Sequence, residues 1–436
     1  MKNRKWFLAL LLLVSSIIIP PYPAGVSAAE VYYANVEGVI NPVVAEFIRD
    51  SIDRSAAARA EAFVIQLDTP GGLDLSMRDI VKHIFSSDVP VVVYVAPSGS
   101  RAASAGVFIT YASNIAAMAP GTNIGSAHPV AMGGEKMDET MMKKVENDAV
   151  AYIKSIAAKR KRNADWAEKA VRESVNITAE EALRLNVINL TAENRDDLIK
   201  KLDGRKVELA AGDKVLNTKG AKVVEVEMNM RARVLNAISN PNVAYILMMI
   251  GILGLFFELS NPGVVLPGVI GAICLVLAFY AFQTLSVNYA GLLLIALAVI
   301  FFIVEVKVVS YGLLTLAGIV SLVLGSLMLF NSPAPFMRLS VWVILPAVVL
   351  MAAFVVGAMY YAVVFHRRKP VSGSEGLVGE VGRAAGDIKA GAEGKVFVDG
   401  EYWNAVSDED IKDGERVTVS EVRGLHLKVS KKRPPE

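Results

Sequence analysis

Two small-residue clusters, each at the end of an apolar, β-branched run, carry the chemistry this chain could do. The first is Asp68-Thr69-Pro70-Gly71-Gly72, which follows the run Ala62–Leu67. The second is Ser98-Gly99-Ser100-Arg101 with Ala102-Ala103-Ser104-Ala105-Gly106, which follows Val89–Val95. A serine that opens a helix behind a buried strand presents its hydroxyl at the carboxyl edge of a sheet, where α/β folds place their ligands. The unsatisfied N–H groups and dipole of that helix favour negative charge beside it. Two glycines after a proline let the backbone turn with its N–H groups free, as an oxyanion requires. Alone, Pro-Gly-Gly reads as an ordinary turn and Ser-Ala-Gly as a close-packing site. Paired at two strand ends, they form a much more specific signal than either alone.

The flanking pattern supplies the elements that would position these residues. Val31–Val36, Ala62–Leu67, Val89–Val95 and Asn114–Met118 read as strands. Asn41–Ala60, Leu75–Phe85, Ala103–Ser113 and Glu139–Lys159 read as helices, with Pro42 in the first turn of its helix. Alternation of this kind predicts a mainly parallel sheet covered by helices. Val207 to Glu227 reads as hairpin material.

Composition sets the surroundings. Of the 436 residues 53% are apolar and only 20% charged, unlike an ordinary soluble domain. The formal net charge of +2 gives no reason to expect a nucleic-acid partner. The single cysteine, Cys274, lies in an apolar run, which excludes an internal disulfide and a cysteine metal cluster. His83, His128, His366 and His426 are spread over separate regions and form no metal motif, so no metal or other cofactor is expected. Residues 1–29 have the basic start, apolar core and small-residue end of a signal peptide, with a retained anchor as the alternative. Val243–Leu259, Val264–Leu285, Tyr289–Val306, Tyr311–Phe330 and Val341–Phe365 are five apolar runs of about transmembrane length. Glu258 and Glu305 fall near the ends of such runs and read as boundary residues. Gly268, Gly271, Ala272, Gly312 and Gly325 suit close helix packing. His366-Arg367-Arg368-Lys369 follows the last run, which places the tail in the cytoplasm and residues 30–235 outside it. The tail, 372–432, alternates short β-rich pieces with Gly and Asp turns and reads as a small all-β, OB-like barrel, with Tyr402 and Trp403 as barrel packing.

The stretch DTPGG, then SRAASAG, then MAPGTNIGSAHPV resembles the Clp protease/crotonase-type serine hydrolases, and more narrowly the long-form NfeD family of membrane-bound serine proteases. The resemblance covers the whole layout: signal peptide, extracytoplasmic α/β protease domain, membrane region (243–366) and C-terminal OB-like NfeD domain. It implies Ser104 as nucleophile, with Gly71 and Gly72, joined by Ala105, as oxyanion donors. The family's lysine base precedes an A-Y-I-K stretch; Ala151-Tyr152-Ile153-Lys154 then points to Lys144. Helix geometry offers a separate check. The apolar face Met141, Val145, Ala149, Tyr152, Ile156 centres near Val145, and Lys144 lies on its flank, about 100° away. Lys143 and Lys154 point about 160–180° away. Partial burial on that flank would favour the neutral amine a base must be. His128 keeps a competing role, as the base of a Ser-His pair or as a binding residue, because the Clp proteolytic subunit carries its histidine at a similar distance, before a pair like Gly133-Gly134. His83 reads as a surface residue.

The resulting expectation is a multi-pass cell-membrane serine endopeptidase with a Ser104–Lys144 dyad. By resemblance its partners are apolar protein or peptide substrates, such as stomatin- or flotillin-like membrane proteins, together with the lipid bilayer and further copies of the chain. The alternative is a non-catalytic scaffold that binds a stomatin- or flotillin-type partner.

Overall fold

The computed structural model describes residues 29–130, 138–260, 263–308, 310–330, 332, 335–367 and 376–432. The expected signal peptide lies outside them except for its last residue, as do Gly133-Gly134, Arg368 and Lys369. The chain forms two compact units, one from the described residues of 1–301 and 316–349, the other from those of 302–315 and 350–436.

The first unit is built on a six-stranded sheet. Its strands are β1 (Glu30–Glu37), β2 (Ala62–Asp68), β3 (Val91–Val95), β5 (Ile115–Met118), β8 (Leu190–Thr191) and β11 (Lys222–Val226). They lie in the order β11-β1-β2-β3-β5-β8, and every neighbouring pair is parallel. A parallel sheet must be covered on both faces, and the period of two divides the strand residues between two cores. Phe63, Ile65, Leu67, Val91, Val93 and Val95 pack into one core. Val31, Tyr33, Val64, Val92 and Tyr94 pack into the other. Each such fully buried aliphatic or aromatic side chain contributes about 1.5–3 kcal/mol.

Helices α1 (Pro42–Ala57), α2 (Asp74–Ser86), α3 (Ala105–Ala112) and α4 (Glu139–Arg160) cover the first core. Asn41 caps α1, its side chain accepting from Val44 N–H at 2.9 Å, and Pro42 sits in the first turn. Two local expectations change. The serine helix begins at Ala105 rather than Ala103, because Arg101–Ala103 forms a strand, β4, paired with β6 (Asn123–Gly125) in a second, three-stranded sheet completed by β7 (Asn176–Thr178). Of the expected hairpin region, only β9 (Lys206–Leu209) and β10 (Gly212–Val215) pair with each other. Lys222–Val226 instead joins the parallel sheet beside β1, a pairing across nearly the whole domain that no local pattern signals.

Helix α3, which follows Ser104, is anchored at its far end. The Arg162 guanidinium, fully buried, donates to the carbonyls of Thr110 at 3.0 Å and of Tyr111, and to Asn189 Oδ1 at 2.7 Å. A cation at a helix C-terminus satisfies carbonyls that would otherwise lack partners and opposes the dipole. Arg162→Met is expected to destabilise the domain by about 3 kcal/mol, because these carbonyls would be left buried and unpaired. A thermal-unfolding midpoint no lower than that of the native chain would contradict this role.

Past the domain, four helices among the described residues are long and apolar enough to cross a membrane: α9 (Pro241–Ser260), α10 (Val265–Phe282), α11 (Tyr289–Lys307) and α13 (Val341–Arg367). The helix α12 (Leu313–Leu329) is equally apolar but 17 residues long. Helices α9 and α10 meet through glycines: a Cβ on Gly254 would lie 2.4 Å from the Pro267 carbonyl oxygen. Gly325 likewise abuts Gly291, but Gly312 has open space around it and a φ of +90°, so it makes a turn and not a helix contact. Glu305, two residues before the end of α11, is buried, at 4% exposed. Its carboxylate accepts from Ser310 Oγ at 2.7 Å, Gly312 N–H at 3.1 Å and Thr315 N–H at 2.8 Å, capping the start of α12.

The tail closes into a five-stranded barrel of β12 (Val381–Ala384), β13 (Glu393–Val398), β14 (Glu401–Ser407), β16 (His426–Lys431) and β15 (Arg416–Arg423), in that order. Val396, Val398, Ala405, Val417, Leu427 and Val429 fill it. Trp403 packs against this core, but Tyr402 is 71% exposed, because strand alternation turns it outward against Phe397.

Candidate active site

Both chemistry-bearing clusters lie at the carboxyl edge of the parallel sheet. The β2 strand ends at Asp68, and Asp68 Oδ1 accepts from Arg101 N–H at 3.0 Å, tying the glycine turn to the serine loop. Backbone bonds continue the tie: Thr69 N–H to Arg101 O at 2.8 Å and Ala103 N–H to Thr69 O at 3.1 Å.

Ser104 itself sits at φ 52°, ψ −113°, a conformation that costs a non-glycine residue about 1–3 kcal/mol. It is held there by its N–H donating to Gly125 O at 3.2 Å and its carbonyl accepting from Val107 N–H at 3.0 Å. The result is a hydroxyl aimed away from its own helix. Among the described residues it makes no hydrogen bond.

Gly71 is pressed against this serine. Its φ is +125°, and a Cβ there would lie 2.7 Å from Ser104 Cβ and 3.1 Å from Ser104 Oγ. Its N–H, expected to face an oxyanion, donates instead to Thr69 Oγ1 at 3.0 Å, and that hydroxyl donates back to Gly71 O at 3.0 Å. Thr69 is fully buried and pins the turn. Sequence reasoning passed over it, although a threonine two residues before a turn residue is the pattern of a side-chain-closed turn. Gly72 is held by Ile40: Leu73 N–H donates to Ile40 O, and Ile40 N–H to Gly71 O, both at 2.9 Å. Among the described residues Gly72 N–H and Ala105 N–H have no partner.

Ser104, Gly72, Ala105 and Lys144 line one cavity of about 470 Å³. Lys144 is exposed on its helix and has no ion pair among the described residues. Val145 and Phe108 add apolar wall, and Val130 lies at the rim. The expected apolar helix face is buried only from Ala149 onward, with Val150, Ile153, Ile156 and Ala157. Met141 and Val145 remain 50% and 36% exposed, because the first turns of α4 run past the domain core along the cavity.

A charged trio stands at the cavity wall. Arg78 donates to Asp74 Oδ2 at 2.8 Å and to Asp148, with its guanidinium 4.4 Å from the centre of the Tyr152 ring. Asp148 lies one turn past Lys144, yet Arg78 holds its carboxylate. The Asp74–Arg78 spacing of four was the only trace of this trio in the sequence.

His128 is not brought to the cavity. Its Nδ1 donates to the Val171 carbonyl at 2.9 Å, and its neighbours Ala127 and Pro129 line the cavity in its place. His83 pairs with Asp53 at 2.8 Å on the domain surface.

Three regions of the chain match described families. Residues 30–227 match the N-terminal domain of NfeD1b, 242–361 the NfeD integral membrane domain, and 374–431 the NfeD-like C-terminal, partner-binding domain. The chain is 34% identical over 417 residues to the membrane-bound protease PH1510 of Pyrococcus horikoshii, covering 92% of this chain and 93% of that one. It is 27% identical over 339 residues to the membrane protein NfeD1b of Bacillus subtilis, covering 74% and 72%. Among solved structures it is similar to the 1510-N membrane protease specific for a stomatin homologue from Pyrococcus horikoshii, at 33% identity and a TM-score of 0.43 over 48% of this chain and 98% of that one. With a near full-length relative at this identity and matches to all three domains, the chain belongs to the NfeD family and is a multi-pass membrane peptidase with a parallel-sheet α/β domain and an OB-like barrel.

Proposed function

We propose that this protein is a serine endopeptidase with a Ser104–Lys144 dyad that cuts apolar segments of membrane-associated proteins. The observation that carries the reading is the single cavity shared by Ser104, Lys144 and the free N–H groups of Gly72 and Ala105. Ser104 Oγ attacks the scissile carbonyl carbon while Lys144, in its neutral form, takes the hydroxyl proton. The carbonyl oxygen, now an oxyanion, accepts from Gly72 and Ala105 N–H. Collapse breaks the C–N bond, Lys144 returns its proton to the leaving amine, and water hydrolyses the acyl-serine by the same steps. Gly71 serves by bringing the turn against Ser104, since its own N–H is bound to Thr69. Asp148, held by Arg78, is kept from pairing with Lys144. His128, bound to Val171 away from the cavity, is a positioning residue for the 127–130 segment and not the base.

The substrate class follows the family resemblance, stomatin- or flotillin-like membrane proteins with apolar ends. It agrees with the stomatin homologue on which the Pyrococcus protease acts and with a C-terminal domain of partner-binding type. Incubation of the purified full chain with apolar peptides, against Ser104→Ala, tests the reading. Equal cleavage by both, or none by either, would sink it.

With α12 as a fifth span, the protease domain lies outside the cytoplasm and the barrel inside. With Cys274 replaced by serine, a membrane-impermeant thiol reagent should label Lys200→Cys in intact cells and spare Lys389→Cys. Labelling of the latter before lysis would reverse the topology.

A further inference from the structure

The cavity of Ser104 is not closed by the protease domain alone. Phe336 and Met337, from the connection between α12 and α13, line it together with Ser104, Lys144 and Val145. We infer that these two residues of the membrane region form the apolar wall that selects the substrate side chain beside the scissile bond. The inference rests on the peptidase reading and names what that peptidase prefers.

The connection is fastened where it stands. Ser340 N–H donates to Asn242 Oδ1 at 2.9 Å, in the first turn of α9. Arg338 Nε donates to the Ser332 carbonyl at 2.6 Å, and Ser332 is 6% exposed. One turn deeper, the Tyr245 hydroxyl and Ser326 Oγ lie 2.8 Å apart, joining α9 to α12. Helix α9 follows directly on α8 (Met230–Ile238), whose Asn236 accepts from Asn41 Nδ2 at 2.7 Å beside the glycine turn of the protease domain. A chain of hydrogen bonds thus runs from the cap of α1 to the loop carrying Phe336.

The rest of the lining matches in chemistry. Val145 and Val130, 36% and 52% exposed, line the same cavity as Phe336 and Met337. An apolar side chain placed among these residues loses its water to apolar surface, which favours binding. Chain reach adds a location. From Phe336 to Val341, where α13 begins, is five residues, at most about 18 Å when fully extended. The wall therefore lies close to the bilayer surface, where an apolar segment leaving the membrane arrives first. Four crossings by α9 to α12 return this loop to the side on which the protease domain stands, as the geometry requires.

The test uses the full chain in lipid nanodiscs and a fluorescent apolar peptide, with binding measured in the Ser104→Ala background and turnover with Ser104 present. Phe336→Ala with Met337→Ala should weaken peptide binding about tenfold, raise KM in step, and reduce the preference for an apolar over a polar peptide. Phe336→Leu with Met337→Leu should restore most of both, which a misfolded loop would not. Unchanged binding and preference in the alanine pair would overturn the wall. Binding that responds to these substitutions while no peptide is cut would leave the wall standing and overturn the peptidase reading instead.

Discussion

Lys144→Ala should lower peptide turnover by about 10²–10⁴-fold, the range for loss of a general base, and bring it close to the residual rate of Ser104→Ala. A nucleophile and its base act as one unit, so under the proposed dyad the double variant should be little worse than either single one. The two side chains share a cavity but make no hydrogen bond in the free chain, as is common before a substrate tightens the geometry. His128→Ala should keep most of the rate, because its imidazole is spent on Val171. Lys143, paired with Glu139 at 3.0 Å and directed away from the cavity, should be replaceable by alanine at little cost. Steady-state cleavage of an apolar peptide by the purified full chain separates these outcomes. A dead His128→Ala beside an active, folded Lys144→Ala would transfer the base to the histidine.

The second large effect is expected at the glycine turn. A Cβ on Gly72 would lie 2.2 Å from Ile40 O and 2.6 Å from Ile40 N, both backbone atoms that the α1 cap holds in place. Gly72→Ala must therefore displace the turn and its free N–H, at an expected loss of about 10²–10³ in kcat, the usual effect of removing one oxyanion donor. Gly71→Ala should be at least as damaging, since its Cβ would press on Ser104 itself at a φ of +125°. Thr69→Val keeps the volume but removes both hydroxyl bonds to Gly71. It should cost less than either alanine and fall mainly on kcat, because it loosens the donor without a clash. Active-site labelling with a small serine-directed sulfonyl fluoride would show whether each variant still presents a folded Ser104. A Gly72→Ala enzyme with native kcat would remove Gly72 from the oxyanion site.

Much of this protein is local in origin and could be read along the chain. The β-branched runs at 62–67 and 89–95 become buried parallel strands because every second residue must enter one of two cores. The five apolar runs become helices within a few residues of their expected ends, since length and hydropathy decide them. Asp-Thr-Pro-Gly-Gly and Ser-Ala-Gly were recognisable as a pair because each ends a strand, and parallel strands bring their carboxyl ends to one edge.

Contacts between distant segments decided the rest, and these leave no periodic trace. Residues 222–226 join the edge of the sheet beside β1 because that edge was open, not because their own pattern differs from a hairpin strand. Gly71 and Gly72 look equivalent in sequence, but the Thr69 hydroxyl occupies one N–H and the Ile40 backbone leaves the other free. Glu305 turns inward because the following helix presents unpaired N–H groups within reach of its carboxylate. Phe336 and Met337, two apolar residues between apolar helices, line the cavity of Ser104 only through tertiary packing, with the Ser340–Asn242 hydrogen bond fixing their loop to the start of α9.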